Sequence, residues 1–422
     1  MEFIATNGTL LLSMAIVLGL FMTWGIGAND VANAMGTSVG SGAITVGTAI
    51  IIATIFEFAG AAIAGGNVTS TIRSNIVHPA TFVGLPDQLA LGMLSALFAA
   101  GTWLLIASWR GWPVSTTHSI IGAIIGFAIV SAGIASVNWG KVGTIAASWI
   151  ISPILGGGIA FALKISVRRL ILETDRPVAS ARQWGPVYIF LLGFVVSLIT
   201  LFKGLKHINL EMSISMSFLL AGVIGLVIAL LGREMIKRVT ADDTTNPEEN
   251  IAQVERIFTP MMIFAACAMA FAHGSNDVAN GVGPLAAVAA IVSSAGQVEI
   301  ESSLPIWVLL LGGFGIVLGL ATYGYRVMET IGRRITPLTP NRGFCATLAA
   351  AATVVLASRT GLPVSTTHIA VGAVMGVGLA RATGEVNLLL FLKIACSWIA
   401  TLPLAAGLAA VSYLVLVNLF GL

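Results

Sequence analysis

GANDVANAMG occupies residues 27–36, at the end of about twenty almost uncharged residues, and GSNDVANGVG repeats the pattern at 274–283, an offset of 247. A carboxylate flanked by carboxamides is costly in apolar sequence, and here it occurs twice. Two further stretches recur with nearly the same displacement. GWPVSTTHSIIGA (111–123) matches GLPVSTTHIAVGA (361–373), and VNWGKVGTIAASWI (137–150) matches VNLLLFLKIACSWI (386–399). A unit of about 160 residues is therefore present twice.

The surroundings of these motifs define the solvent. The chain of 422 residues is 57% hydrophobic and 9% charged, with a mean hydropathy of +0.97, whereas soluble domains carry roughly a quarter charged residues. Apolar runs long enough to cross a ~30 Å hydrocarbon core recur along it. The pattern is that of an all-α integral membrane protein, and it lacks the alternation of a transmembrane β-barrel. The runs predict about twelve helices: 8–28, 44–64, 88–108, 115–135, 141–163, 186–203, 213–232, 257–275, 306–326, 344–358, 365–380 and 388–418. The segments 34–48 and 281–299 read equally as re-entrant hairpins or as further spans. MEFIATNGTLLLSMAIVLGLF lacks the basic start of a cleaved signal and is expected to be a retained first span.

Lys and Arg accumulate in cytoplasmic loops. Lys164, Arg168, Arg169, Arg176 and Arg182 form one cluster, Arg233, Lys237, Arg238 and Arg256 a second, and Arg333, Arg334 and Arg342 a third. All three share one side if both termini are extracytoplasmic. Three segments follow: repeat 1 over 1–163, two linking helices over 164–256 and repeat 2 over 257–422. Five spans per repeat and two between them invert the second unit, and Arg110 then falls inside while its counterpart Arg359 falls outside. Inverted repeats with a midplane site are the architecture of secondary transporters. ADDTTNPEEN (241–250) reads as a solvated cytoplasmic linker. Cys267, Cys345 and Cys396 stand singly, without metal-ligand spacing. A net charge of +3 gives no reason to expect nucleic acid.

In PVSTTH, Pro suits a helix start and Ser or Thr its N-cap and first turn. A helix beginning inside the bilayer presents unpaired N–H groups, the positive end of its dipole and clustered hydroxyls, which together make an anion site. Ser115, Thr116, Thr117, Ser365, Thr366 and Thr367 are the candidates. Asp30 and Asp277 then need cations, since no Lys or Arg lies within either motif. Their carboxylates, with carboxamide oxygens of Asn29, Asn33, Asn276 and Asn280, form hard oxygen ligands for a small ion, provided Gly25, Gly27, Gly36, Gly274, Gly281 and Gly283 let the helix break. Anion and cation binding become coupled, which is symport. Glu57, in ATIFEFAG, is left as either structural or part of an ion path; His118 and His368 are candidates for coupling or gating. Arg110 and Arg359 read as snorkelling to the interface.

With both GxNDVAN and both PVSTTH signatures in order, the chain resembles the inorganic phosphate transporter (PiT) family over nearly its whole length. The resemblance implies a twelve-span carrier importing inorganic phosphate with Na+ or H+. It places Asn29, Asp30, Asn276 and Asp277 at the cation and phosphate sites, and the two STT triplets around phosphate. It also places Glu57 where relatives carry a transport-linked glutamate. Thr347, in GFCATLAAA, stands where Glu is expected. Na+ is the expected coupling ion and no cofactor is expected; an H+-coupled metal-phosphate symporter and a sulfate carrier are the alternatives. An enzyme acting on phosphorylated lipid through Ser365 and His368 is disfavoured, because i and i+3 neighbours occur on any helix and no third orienting group accompanies them. Small-residue spacings such as GGGIAFAL suit packing against membrane lipid-embedded helices of the same chain or of a homodimer.

Overall fold

The computed structural model describes residues 2–204, 212–239, 242–298, 304–359, 363–380 and 386–422. Among the described residues regular structure is helical, apart from an isolated antiparallel bridge between Val77 and Val137. The first repeat contains α1 (Glu2–Gly40), α2 (Val46–Ala64), the short α3 (Gly66–Ser74) and α4 (Pro79–Phe82), α5 (Pro86–Arg110), α6 (Thr116–Ala132) and α7 (Trp139–Val167). Two linking helices follow, α8 (Pro177–Ile199) and α9 (Ile214–Lys237). After them come α10 (Pro247–Ser293), which begins ten residues before the 257 start expected for the second repeat, α11 (Ile306–Tyr323), the short α12 (Tyr325–Glu329), α13 (Pro340–Arg359), α14 (Thr366–Leu379) and α15 (Leu388–Phe420).

All twelve predicted runs lie on helices. Among the described residues nine helices are long and apolar enough to cross a membrane: α1, α2, α5, α7 to α11 and α15. The helices α6 and α14 are shorter apolar pieces of 17 and 14 residues.

The expected breaks are found at one motif and not at the other. The chain breaks before each STT triplet, where α5 turns into α6 and α13 gives way to α14. It does not break at Asn-Asp: α1 runs unbroken through 39 residues and α10 through 47. The segments 34–48 and 281–299 accordingly begin as the last turns of these helices. The motif glycines serve close approach instead of a break. A Cβ on Gly27 would lie 1.9 Å from the Ile316 carbonyl oxygen of α11, and one on Gly274 would lie 2.2 Å from the Glu57 carbonyl oxygen of α2. Intact helical bonding also explains the result, because a broken helix leaves buried N–H and C=O groups that need new partners.

These contacts come in matched pairs. Gly60 faces the Phe271 carbonyl as Gly319 faces that of Trp24, and Gly122 faces Leu402 as Gly372 faces Pro153. The sequence offsets of 247 to 250 relate Trp24 to Phe271, Gly122 to Gly372 and Pro153 to Leu402, whereas Gly60 and Gly319 are 259 apart. Each repeat is interleaved with the other: α1 packs on α11 and α10 on α2, while α6 packs on α15 and α14 on α7. The core at this crossing is made of Ala, Gly, Val and Ile, small enough for backbones to meet.

The 241–250 segment is more structured than a solvated linker, over the residues described. Asp243 accepts from the N–H groups of Val178 (2.9 Å) and Ala179 (3.1 Å), capping α8 from a distance in sequence. Asn246 caps α10 through the Glu248 N–H at 3.0 Å.

Candidate ion and phosphate site

Every predicted site residue is buried, and the two repeats bring most of them to one cluster. Ser115 and Ser365 are the N-caps of α6 and α14, accepting from the N–H groups of His118 (3.2 Å) and His368 (3.3 Å). The N–H groups of the first two helical residues in each, Thr116 and Thr117 or Thr366 and Thr367, lie outside the helix's own ladder. Each hairpin tip then reaches across to the other. Thr117 Oγ1 donates to the Val364 carbonyl (3.2 Å) and Thr367 Oγ1 to the Val114 carbonyl (3.1 Å).

The aspartates meet the same hydroxyls. Thr116 Oγ1 donates to Asp30 at 2.6 Å, and its counterpart Thr366 Oγ1 donates to Asp277 at 2.5 Å. Asp30 also accepts from Thr367 of the other repeat at 3.0 Å. The carboxamides cross over too: Asn33 Nδ2 donates to Thr367 Oγ1 (3.1 Å), and Asn280 Nδ2 donates to Thr116 Oγ1 (3.1 Å). With their nitrogens committed, Asn33 Oδ1 and Asn280 Oδ1 are left buried without a partner. Two orphaned acceptors are expensive in a dry site unless a cation or donor meets them.

Asn29 and Asn276 play another part. Asn29 Nδ2 donates to Ser108 Oγ (3.1 Å) and the Trp112 carbonyl (2.9 Å), while its Oδ1 accepts from the Val114 N–H (3.1 Å). The whole carboxamide holds the turn between α5 and α6, so the residue positions the cradle. Asn276 Nδ2 reaches the Val364 carbonyl (3.2 Å) of the other tip and Asp277 Oδ1 (2.6 Å). Arg110 is exposed, its guanidinium 5.4 and 5.3 Å from the ring centroids of Trp109 and Trp112, consistent with an interfacial role. The side chain of Arg359 lies outside the described residues. Thr347 pairs with Thr37 through hydroxyls 2.7 Å apart.

Sequence reasoning missed His273. Its Nδ1 lies 2.7 Å from Glu57 Oε2, and its Nε2 lies 2.8 Å from Asp277 Oδ2, the latter too oblique for an aligned hydrogen bond. Glu57, left open between structure and ion path, is thus paired across α2 and α10. Asp30, His273 and Asp277 each place one ligand atom within 4.8 Å of the others. A signal was present: the residue 247 before His273 is Ile26. The packing makes Glu57 the counterpart of Ile316, since Gly274 faces the one and Gly27 the other, so the positions held by Ile26 and Ile316 are held by His273 and Glu57 at the second Asn-Asp motif. A polar pair confined to one of two copies marks the aspartates as inequivalent.

The fold and site define a helical, multi-pass membrane protein whose duplicated halves share one buried cluster of carboxylates, carboxamides and hydroxyls. The model of the phosphate transporter family matches residues 26–409, and the chain belongs to that family. It is 49% identical over 420 residues to a putative phosphate permease of Haemophilus influenzae, covering 100% of both chains. It is 43% identical to "Inorganic phosphate transporter 2-1, chloroplastic" of Arabidopsis thaliana, over 96% of this chain and 72% of that one. A solved structure titled "The sodium-dependent phosphate transporter" superposes with a TM-score of 0.88 at 42% identity, covering 96% of this chain and 98% of that one. The chain is a phosphate transporter and not an enzyme by family.

Proposed function

We propose that the protein imports inorganic phosphate by symport with Na+, through repeats of inverted topology with both termini extracytoplasmic. The observation that carries this reading is the shared use of one set of hydroxyls. Thr116, Thr366 and Thr367 now donate to Asp30 and Asp277, yet they also stand in the first turns of α6 and α14, where an oxyanion would be received. Cations bound by the two carboxylates and by Asn33 Oδ1 and Asn280 Oδ1 would draw charge away from the hydroxyls. The hydroxyls, with the first-turn N–H groups, are then free to turn to phosphate, and the cation charge offsets the anion's. Neither ion is well accommodated alone in a low-dielectric site, which makes the coupling obligatory. Asn29 and Asn276 hold the backbone of the two hairpin tips in the shape this exchange uses.

The solved neighbour's title names sodium dependence, and the orphaned carboxamide oxygens suit a small hard cation. The Glu57–His273–Asp277 chain favours a second reading, in which a proton replaces one cation. Uptake of labelled phosphate into proteoliposomes, under an inward Na+ gradient against a matched K+ gradient at two pH values, separates the two. Dependence on Na+ at both pH values supports the first reading. Uptake driven by inward acid and indifferent to Na+ replaces it with the second.

A further inference from the structure

Four aromatic rings meet between the hairpins and take no part in the ion exchange above. Trp149 and His118 have ring centroids 3.7 Å apart, His118 and His368 4.6 Å, and His368 and Trp398 3.7 Å. In space the order is Trp149, His118, His368, Trp398. In the chain these belong to α7, α6, α14 and α15.

The helices themselves are clamped in two pairs. A Cβ on Gly372 or Gly376 of α14 would lie 2.4 or 2.1 Å from backbone oxygens of α7, and one on Gly122 or Gly126 of α6 would lie 2.5 or 2.1 Å from those of α15. Backbone meets backbone in each pair, so neither pair can close further. The rings therefore alternate between the two clamped pairs, like interleaved fingers.

The imidazoles are pinned in place. His368 Nδ1 lies 3.0 Å from the Trp149 carbonyl oxygen, and His118 Nδ1 lies 3.1 Å from that of Trp398. Four residues after Trp149 stands Pro153, which has no N–H to offer that carbonyl. The carbonyl only accepts, so in this contact His368 carries its proton on Nδ1, and swinging the ring away removes a donor from a partly buried oxygen. Both histidines are the third residue of their helices, in the same turn as the N–H groups and hydroxyls of the cradle.

We infer that this interleaved row of rings is the spacer that sets the distance between the two helix starts, making His118 and His368 specificity-determining positioning residues for the tetrahedral anion. His118 and His368 meet edge to face, with ring planes 71° apart, and the bulk of packed rings is incompressible, whereas the Thr117 and Thr367 cross-bonds at the tips tolerate several tenths of an ångström. The width of the cradle thus follows from the rings. The inference rests on the phosphate reading of the site.

The test is anion selectivity. Arsenate has the charge and shape of phosphate with longer bonds to oxygen, so the ratio of their half-saturation constants reports cradle width. Uptake of labelled phosphate and its competition by arsenate would be measured in proteoliposomes for the wild type, for His118→Ala with His368→Ala, and for His118→Phe with His368→Phe. The alanine pair is expected to change the ratio by about threefold or more, the scale on which pockets sense small size differences. The phenylalanine pair keeps a ring at each position and is expected to bring the ratio back toward the wild-type value even where maximal uptake falls. General loss of structure lowers uptake of both anions without moving their ratio. The single variant His118→Ala, checked for a monodisperse elution profile, should move the ratio in the same direction by less, and it decides the matter if the double variant does not fold. A ratio unchanged in the alanine variants overturns the inference, as do equal shifts in the alanine and phenylalanine variants. A wild-type chain that moves neither anion overturns the phosphate reading and this inference with it.

Discussion

Replacing Asp30 by Asn tests whether charge or hydrogen bonding is the reason for a carboxylate at this position. Asp30 accepts from Thr116 at 2.6 Å and from Thr367 at 3.0 Å. An asparagine keeps one acceptor, and its NH2 group meets a hydroxyl that can rotate to accept. Hydrogen bonds to charged groups contribute about 1 kcal/mol more than neutral ones. Removing a buried charge gives back desolvation free energy of at least that size, so the fold should persist with its stability little changed. The cation loses more. At an effective dielectric of about 20, one unit charge about 4 Å from another is worth roughly 4 kcal/mol. Even half of that raises the half-saturating Na+ concentration about 30-fold. The assay is initial phosphate uptake in proteoliposomes against external Na+ from zero to saturation, with folding checked by elution profile. Asp277→Asn should show the same direction of effect. A Na+ curve within about twofold of wild type in correctly folded Asp30→Asn would refute the reasoning. The aspartates would then be hydrogen-bond acceptors that knit the helices together.

Other perturbations separate the remaining roles. Thr116→Val with Thr366→Val leaves both carboxylates and removes two donors, so the half-saturating phosphate concentration should rise about tenfold while cation binding measured without phosphate changes less. Gly274→Ala puts a methyl against the Glu57 carbonyl, 2.2 Å away where contact needs well over 3 Å; a loss of about 1–3 kcal/mol is expected, read as a lower midpoint of thermal unfolding in detergent. His273→Gln removes the imidazole that bridges Glu57 and Asp277, and Glu57→Gln in the same chain should recover part of the lost uptake if pairing was the issue. Asp243→Ala uncaps α8 at Val178 and Ala179, so hydrogen exchange at those two amides should quicken, by about fivefold for a cap worth ~1 kcal/mol, with phosphate uptake unchanged.

The mismatch between the two expected helix breaks is instructive. Proline and an STT triplet carry a local reason to begin a helix, and α6 and α14 begin there. Glycines around Asn-Asp carry no such local reason, because glycine permits a break and equally permits close packing. Which use prevails depends on what lies opposite, here the Ile316 and Glu57 carbonyls. The same limit applied to Glu57: its partner lies 216 residues away, and ATIFEFAG gives no hint of it.

What the sequence determined by itself was the solvent, the duplication and most of the residues of the buried cluster. Hydropathy is a property of each segment, and a duplicated motif is visible without any fold, so the membrane class and nearly all of the buried cluster were legible. Only the tertiary structure decided who meets whom. It carried Thr367 to Asp30 across 337 residues, committed Asn29 to a hairpin turn, left two carboxamide oxygens without partners, and set His273 between Glu57 and Asp277. Those pairings follow from backbones brought together at glycines on separate helices, and geometry of that kind is not written in the pattern of any one segment.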